Sequence, residues 1–394
     1  MKKSAICNLQ SATAVILILL LGSSVQAGQE ETIKALADRL KQGDGPSGVA
    51  LVKFGPKAVP ALIKVLEDGS PFARGHAAHA LGRIGPKAGK AIPELATTLK
   101  RDGKLMGTAA VPASEAAIAL GKIGQASVPA LIEALKDDNE NVRGLAAGAL
   151  KQIGPSKDAV PALISALKKG KGAATVDRLL IIDALGRMGP AAKEAVPMLL
   201  EARTKEGQPT GVDISIAVAL GNIGPAAKDG VPWLSGLIKK KDTEVGPLRM
   251  HALEALSKMG SSAKTALPGI LTMLKESSGP SRLMVLEVLA GIGSADKEAI
   301  PALTEGMRDK DALVRIYSAA LMGKMEPNNL AVVSVLIESL REKDAKIRIL
   351  AAQTMGRVRP SDEAIVEALN NAASDPDENV RKAVKEALAK FKKK

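Results

Sequence analysis

Cysteine is all but missing from this chain. The one thiol, Cys7, precedes an apolar run at the N-terminus, so no intramolecular disulfide can form. If that segment is removed, thiol nucleophiles and thiolate metal sites are excluded as well. Aromatic residues make up 1% of the 394 residues. Phe54, Phe72, Trp233, Tyr317 and Phe391 are scattered without a pattern, too few rings for an ordinary globular core or for a stacking platform that reads single-stranded nucleic acid. Histidine occurs three times, at His76, His79 and His251. No phosphate-cradling Gly-rich loop ending in Gly-Lys-Ser/Thr and no G-x-S-x-G elbow is present.

What the chain does have is aliphatic residues, glycine and proline at fixed intervals. The stretch DDNENVRGLAAGALKQIG, from Asp137 to Gly154, states the theme. An acidic turn comes first, Val142-Arg143 opens a helix, Leu145, Ala146, Ala147, Leu150 and Ile153 line one face, and Gly154 ends it. The segment before it, Val128 to Leu135, carries Pro129 where only a helix start tolerates proline.

The theme recurs about eleven times. Aligned on the last helical leucine, the anchors are Leu51, Leu81, Leu120, Leu150, Leu185, Leu220, Leu256, Leu289, Met322, Met355 and Leu388. Their spacings of 30 to 39 residues are those of paired-helix repeats. First helices are marked by Pro60, Pro93, Pro129, Pro161, Pro197, Pro232, Pro268 and Pro301. The residue after the anchor is often glycine, which predicts close approach of neighbouring helices. Fold and domains follow: an all-α, right-handed α-solenoid of about eleven helix pairs over 44–394 with a basic C-terminal cap, preceded by a capping helix over 28–43.

Seven residues before the anchor stands an arginine, and six residues before that an acid. Asp68 with Arg74, Asp137 with Arg143, Asp309 with Arg315 and Asp375 with Arg381 exemplify the pattern. Each acid is expected to cap the coming helix and to pair with the arginine of its own or the next repeat, a structural ladder along the stack. The connection 100–114 is the longest and puts Ala113 where the arginine belongs; 168–175, 204–212 and 239–246 are further long links.

A proline-led helix, an acidic turn, Val/Ile/Leu-Arg, alanines and Leu-Gly-x-Ile-Gly together resemble the HEAT repeat, in particular the short HEAT-like form named after phycobilisome lyases, over residues 44–391. The resemblance implies an armadillo-type solenoid that serves as a scaffold for protein partners. Bilin lyases and the iron enzyme deoxyhypusine hydroxylase share the repeat, but the hydroxylase carries iron on His-Glu dipeptides, and none occurs here. The chain is therefore expected to be no enzyme and to hold no cofactor or metal. His76 and His79, one helical turn apart, lack an evident third ligand in the sequence.

Net charge is +13. Two residues after the anchors lie Arg83, Lys122, Arg187, Lys258, Lys324 and Arg357, flanked by Lys53 and Lys390 and interrupted by Gln152, Asn222 and Gly291. Stacking would align them on the concave surface as candidate partner-binding residues. Asp183, Glu254 and Glu386 stand four residues before Arg187, Lys258 and Lys390, the spacing of helix-surface ion pairs. Arg83, Lys122, Lys324 and Arg357 have no such acid. The partners expected are proteins bound on that surface and on the long-loop edge, with an acidic polymer as the alternative.

Lys2 and Lys3, an apolar run over 12–21 and small residues before Ala27 predict a signal peptide cleaved after Ala27. Removing its two lysines leaves a charge of +11, from 13 − 2. The expectation is a periplasmic or secreted monomer with no membrane span in the mature chain.

Overall fold

The computed structural model describes residues 28–105, 107–169, 176–204, 210–240, 246–276, 280–293, 299–326, 329–358 and 363–391. The predicted signal peptide lies outside them, as do most of the links 168–175, 204–212 and 239–246. All regular structure among the described residues is helical, and none of these helices is long and apolar enough to cross a membrane.

The chain divides into two compact units, Met1–Ala191 and Ala192–Lys394. In the first, helix α1 (28–41) is followed by α2 (Gly45–Val52), α3 (Val59–Asp68), α4 (Pro71–Ile84), α5 (Ile92–Asp102), α6 (Val111–Ile123), α7 (Val128–Ala134), α8 (Glu140–Ile153), α9 (Ala159–Lys169) and α10 (Val176–Arg187). The second contains α11 (Val196–Glu201), α12 (Gly211–Ile223), α13 (Val231–Ile238), α14 (Leu248–Met259), α15 (Leu267–Glu276), α16 (Pro280–Gly293), α17 (Ile300–Gly306), α18 (Ala312–Met325), α19 (Leu330–Ser339), α20 (Ala345–Val358), α21 (Glu363–Asn371) and α22 (Glu378–Phe391). Even-numbered helices are the second helices of the pairs, and each contains one of the anchors.

Local chemistry explains the boundaries. Gly154, at φ 96°, turns the chain out of α8 in a conformation that a side chain would strain, and Gly85 and Gly124 do the same after α4 and α6. A short 3-10 turn follows α4 and α6, and proline at the second residue of α5 and α7 then fixes the backbone for the next helix without losing a needed N–H.

The core is aliphatic. The anchors from Leu51 to Leu256, with Met322 and Met355, are fully buried and Leu289 is 2% exposed, while Leu388 on α22 is half-buried. Alanines at 77, 80, 116, 119, 146 and 149 fill the seams between second helices. Where the seam narrows further, glycine takes over. A Cβ on Gly82 would lie 3.1 Å from the Ala119 Cα, and one on Gly221 would lie 2.8 Å from the Ala255 Cα. These glycines thus set the spacing between consecutive second helices, at a helix-propensity cost of up to about 1 kcal/mol each.

Candidate functional site: the exposed face of the second helices

The acids and arginines assemble from the turns inward, and the carboxylates pair backwards along the chain. In the first unit Asp102 accepts two hydrogen bonds from Arg74, at 2.7 and 2.8 Å. In the second, Asp309 lies 2.6 Å from Arg282, Glu342 accepts from Arg315, and Asp375 takes Arg348 through both oxygens at 2.8 and 2.9 Å. Each acid thus meets the arginine of the preceding repeat, whereas its own arginine binds its main-chain carbonyl: Arg143 to Asp137 O at 3.1 Å, Arg315 to Asp309 O at 2.8 Å, Arg381 to Asp375 O at 2.7 Å. The expected pairing with the arginine of the same or the following repeat is not the geometry found. An arginine side chain starting at the head of a second helix reaches back to the turn of its own repeat and across to the next one.

Helix capping differs from expectation too. Asp137, Asp309 and Asp375 accept the N–H two residues on, at 2.9, 2.8 and 2.9 Å. That turns the chain so that the residue reached becomes the cap: Asn139 accepts from Val142 N at 3.2 Å, Asp311 from Leu313 N at 2.9 Å, and Asp377 from Val380 N at 3.2 Å. The Arg348 hydrogen bonds hold the Asp375 carboxyl below the usual carboxylate range.

Where the preceding repeat lacks its arginine, lysine substitutes. Asp68 pairs with Lys41 at 2.8 Å, and Asp137 has Lys104 at 3.6 Å because Ala113 supplies no charge. Arg143 reaches Asp177 at 3.2 Å, on the first turn of α10. Asp102 was hidden from pattern reading because the long connection after α5 moves it five residues out of register. The usable signal was a lone acid closing an otherwise basic helix end, Lys100-Arg101-Asp102.

The exposed face of the second helices carries the basic row. In the first unit Lys53, Arg83, Lys122 and Arg187 are all exposed; in the second, so are Lys258, Lys324, Arg357 and Lys390. Of the three i,i+4 pairs that the sequence suggested, Lys258 bonds Glu254 at 2.8 Å. Asp183 instead bonds Lys151 of the preceding repeat at 2.8 Å, leaving Arg187 with no ion pair among the described residues. Arg83, Lys122, Lys324, Arg357 and Lys390 likewise have none there.

The row also has a packing role. A Cβ on Gly82 would sit 3.5 Å from Lys122 Cδ, one on Gly221 the same distance from Lys258 Cδ, and one on Gly356 3.4 Å from Lys390 Cδ. The aliphatic stem of each lysine therefore lies across the glycine of the preceding second helix, and its ammonium stays in water.

At the head of the same face in the first unit, Phe72, His76, His79 and Arg83 of α4 lie alongside Val111, Glu115, Ile118 and Lys122 of α6, each set at i, i+4, i+7, i+11. Val49 of α2, Phe72, His76, His79, Val111 and Glu115 line a groove of about 720 Å³. Phe72 is 53% exposed, Val111 49%, Val49 48% and Ile118 42%. The Phe72 and His76 rings are 4.4 Å apart, and His79 Nδ1 is 3.0 Å from the Glu115 carboxylate. A carboxylate does stand by the histidines, contributed by the following repeat, where the sequence made none evident. Still, no group of three His, Cys, Asp or Glu able to hold a metal ion occurs among the described residues. In the second unit Trp233, half-buried, lies beneath the Arg203 guanidinium at 5.4 Å from the ring centre.

Helix pairs repeated in register, joined by turn-to-turn arginine bridges, define an all-α solenoid. The family model for HEAT repeats matches residues 108–175 and 333–394, and a helix pair of the same kind recurs between these stretches. Among solved structures the chain is similar to the karyopherin Kap121p bound to the extreme C-terminus of the protein phosphatase Cdc14p, at 12% identity and a TM-score of 0.54 over 99% of this chain and 53% of that one. It is similar also to yeast importin-beta, Kap95p, at 14% identity and 0.56 over 94% and 59%. The likeness is one of fold, and the chain spans little more than half the length of either. Human deoxyhypusine hydroxylase aligns at 20% identity with a TM-score of only 0.26, which supports no argument. No curated protein matches the sequence.

Proposed function

We infer that this chain is a non-catalytic scaffold of the cell envelope, exported by its N-terminal segment and cleaved after Ala27, that binds other proteins along the exposed face of its second helices and the long-loop edge. The observation that carries this reading is the row of exposed cations on that face without ionic partners: Arg83, Lys122 and Arg187 in one unit, Lys324 and Arg357 in the other. Surface charges that have no internal partner are free to meet an external one, and a repeat fold distributes them over a long surface. The solved karyopherins and importin-beta support it by analogy of fold: Kap121p is seen bound to a segment of Cdc14p.

The test is crosslinking of the mature protein in its native envelope fraction, read by mass spectrometry beside a variant with Arg83, Lys122, Lys324 and Arg357 changed to glutamate. A discrete protein captured by the wild type and lost in the variant is expected. Failure of the wild type to capture any protein, with a polyanion or metal carried instead, overturns the reading. A polyanion ligand would also show affinity falling steeply with salt, which a groove-anchored protein partner would show less.

A further inference from the structure

We propose that the groove between α4 and α6 is the docking site for a short acidic segment of a partner protein, which seats one large apolar side chain beside Phe72 and lays its carboxylates against Arg83 and Lys122. The proposal rests on the scaffold reading and names the chemistry of one partner site within it.

Four exposed apolar side chains belong to one surface. Singly they would mean nothing, since apolar atoms are common on protein surfaces. Here Val49, Phe72 and Val111 come from three successive second helices and converge on one groove, with Ile118 two turns further along α6. Phe72 is one of only five aromatic residues in the chain, and half of it is left in water. A groove of about 720 Å³ admits more than one side chain.

Glu115, the carboxylate among the lining residues, lies 3.0 Å from His79 Nδ1, and an acidic guest keeps its own carboxylates away from it, at the two cations further along the helices.

Charge decides what else the guest carries. One helical turn past His79, about 6 Å along α4, stands Arg83. One turn past Ile118 on α6 stands Lys122, whose stem crosses Gly82, the residue before Arg83. Both cations are exposed and have no ionic partner among the described residues. From the apolar slot at Phe72 and Val111 the two open cations stand three turns further on, about 16 Å along α4 and α6. That spacing is complementary to an apolar residue followed about five extended residues later by carboxylates. A plain polyanion would use the cations and leave the slot empty; a neutral apolar ligand would do the reverse.

Fluorescence anisotropy with three short labelled peptides tests this on the full mature chain: a single leucine followed about five residues later by aspartates and glutamates, the same peptide with serine for the leucine, and polyglutamate of equal length. The leucine peptide is expected to bind about tenfold more tightly than the other two. Phe72→Ala and Val111→Ser should each remove that advantage without changing the serine peptide, and Arg83→Glu with Lys122→Glu should weaken both peptides at least about tenfold. All four positions are on the surface, and an unchanged melting curve certifies each variant. Equal binding of the serine peptide or polyglutamate, indifference to the charge reversal, or no binding of the leucine peptide overturns the proposal.

Crosslinking in the envelope fraction separates this from the broader reading. If Phe72→Ala captures the same discrete protein as the wild type, the groove assignment falls and the scaffold stands. If the wild type captures none, both fall.

Discussion

Changing Asp102 to asparagine should loosen the α4–α6 region by about 3 kcal/mol. The side chain is 1% exposed and takes Arg74 through both oxygens, with Arg101 Nε a third donor at 3.3 Å. Asparagine keeps the shape, but removes the charge and turns an amide N–H₂ toward a guanidinium that is itself only 12% exposed. Orphaning one member of a buried pair costs about 3–5 kcal/mol. The lower end applies because Arg74 retains its 2.8 Å bond to Gly69 O and some contact with water. Asp68 provides the internal control: its side chain is 64% exposed beside Lys41, so Asp68→Asn should cost roughly 0.5 kcal/mol. Global unfolding of a repeat array is not reliably two-state, so the measurement is native-state hydrogen exchange in α4 to α6. About 3 kcal/mol corresponds to roughly a hundredfold faster exchange for amides that open together with the bridge. High salt should abolish the Asp68 effect and leave most of that of Asp102. A change below about 1 kcal/mol, or equal responses of the two variants to salt, would refute the argument that burial makes this bridge matter.

Two helix glycines should respond with opposite signs to alanine. Gly148→Ala, with no atom within 4 Å of the added methyl, should stabilise α8 by up to about 1 kcal/mol, whereas Gly221→Ala should destabilise, because the new Cβ would sit 2.8 Å from the Ala255 Cα; thermal melting of both variants checks this, and stabilisation by both would show that the seam can relax. Asp213 accepts N–H bonds from Thr204 at 2.9 Å and Thr210 at 2.8 Å, and although burial acts to raise its pKa, these bonds outweigh it and hold the pKa below the ordinary value. Its contribution should therefore be complete above the unfolded pKa of about 3.9 and disappear as pH falls through the depressed folded value; exchange protection at the start of α12 should show this, and an Asp213→Asn variant with an unaltered acid profile would contradict it. Peptide sequencing of the exported protein should begin at Gly28, and an intact N-terminus would remove the signal-peptide reading.

The fold was readable because its punctuation is backbone chemistry that few residues can supply. Gly154 and Pro129 mark boundaries by conformations that other side chains resist, and the anchor leucines mark depth by spacing alone. The partners of the charged residues were less readable. Arg315 and Glu342 are 27 residues apart and meet only because one repeat stacks on the next, so a pattern counted within a repeat points to the wrong neighbour. Asp102 was invisible because an irregular link broke the count, and the His79–Glu115 contact because its partners belong to different repeats. The groove was missed for another reason. Phe72 and Val111 occupy equivalent positions nine residues before Leu81 and Leu120, where the other repeats mostly place unrelated residue types, and a consensus discards such departures.

The lysine stems lying across glycines have a consequence for how such a chain changes over generations. Gly82 and Lys122, Gly221 and Lys258, and Gly356 and Lys390 are halves of joints made between consecutive units of the tandem. A side chain gained at the glycine is felt in the next unit, and is tolerated when the residue there shortens in step. Repeats should therefore behave like tiles with matched edges: duplicating a whole unit copies both edges and preserves every joint, whereas exchanging single residues between units breaks two. Lengthening by duplication is then the easy route to a new binding surface, and related chains should vary at these paired positions together, a full repeat apart.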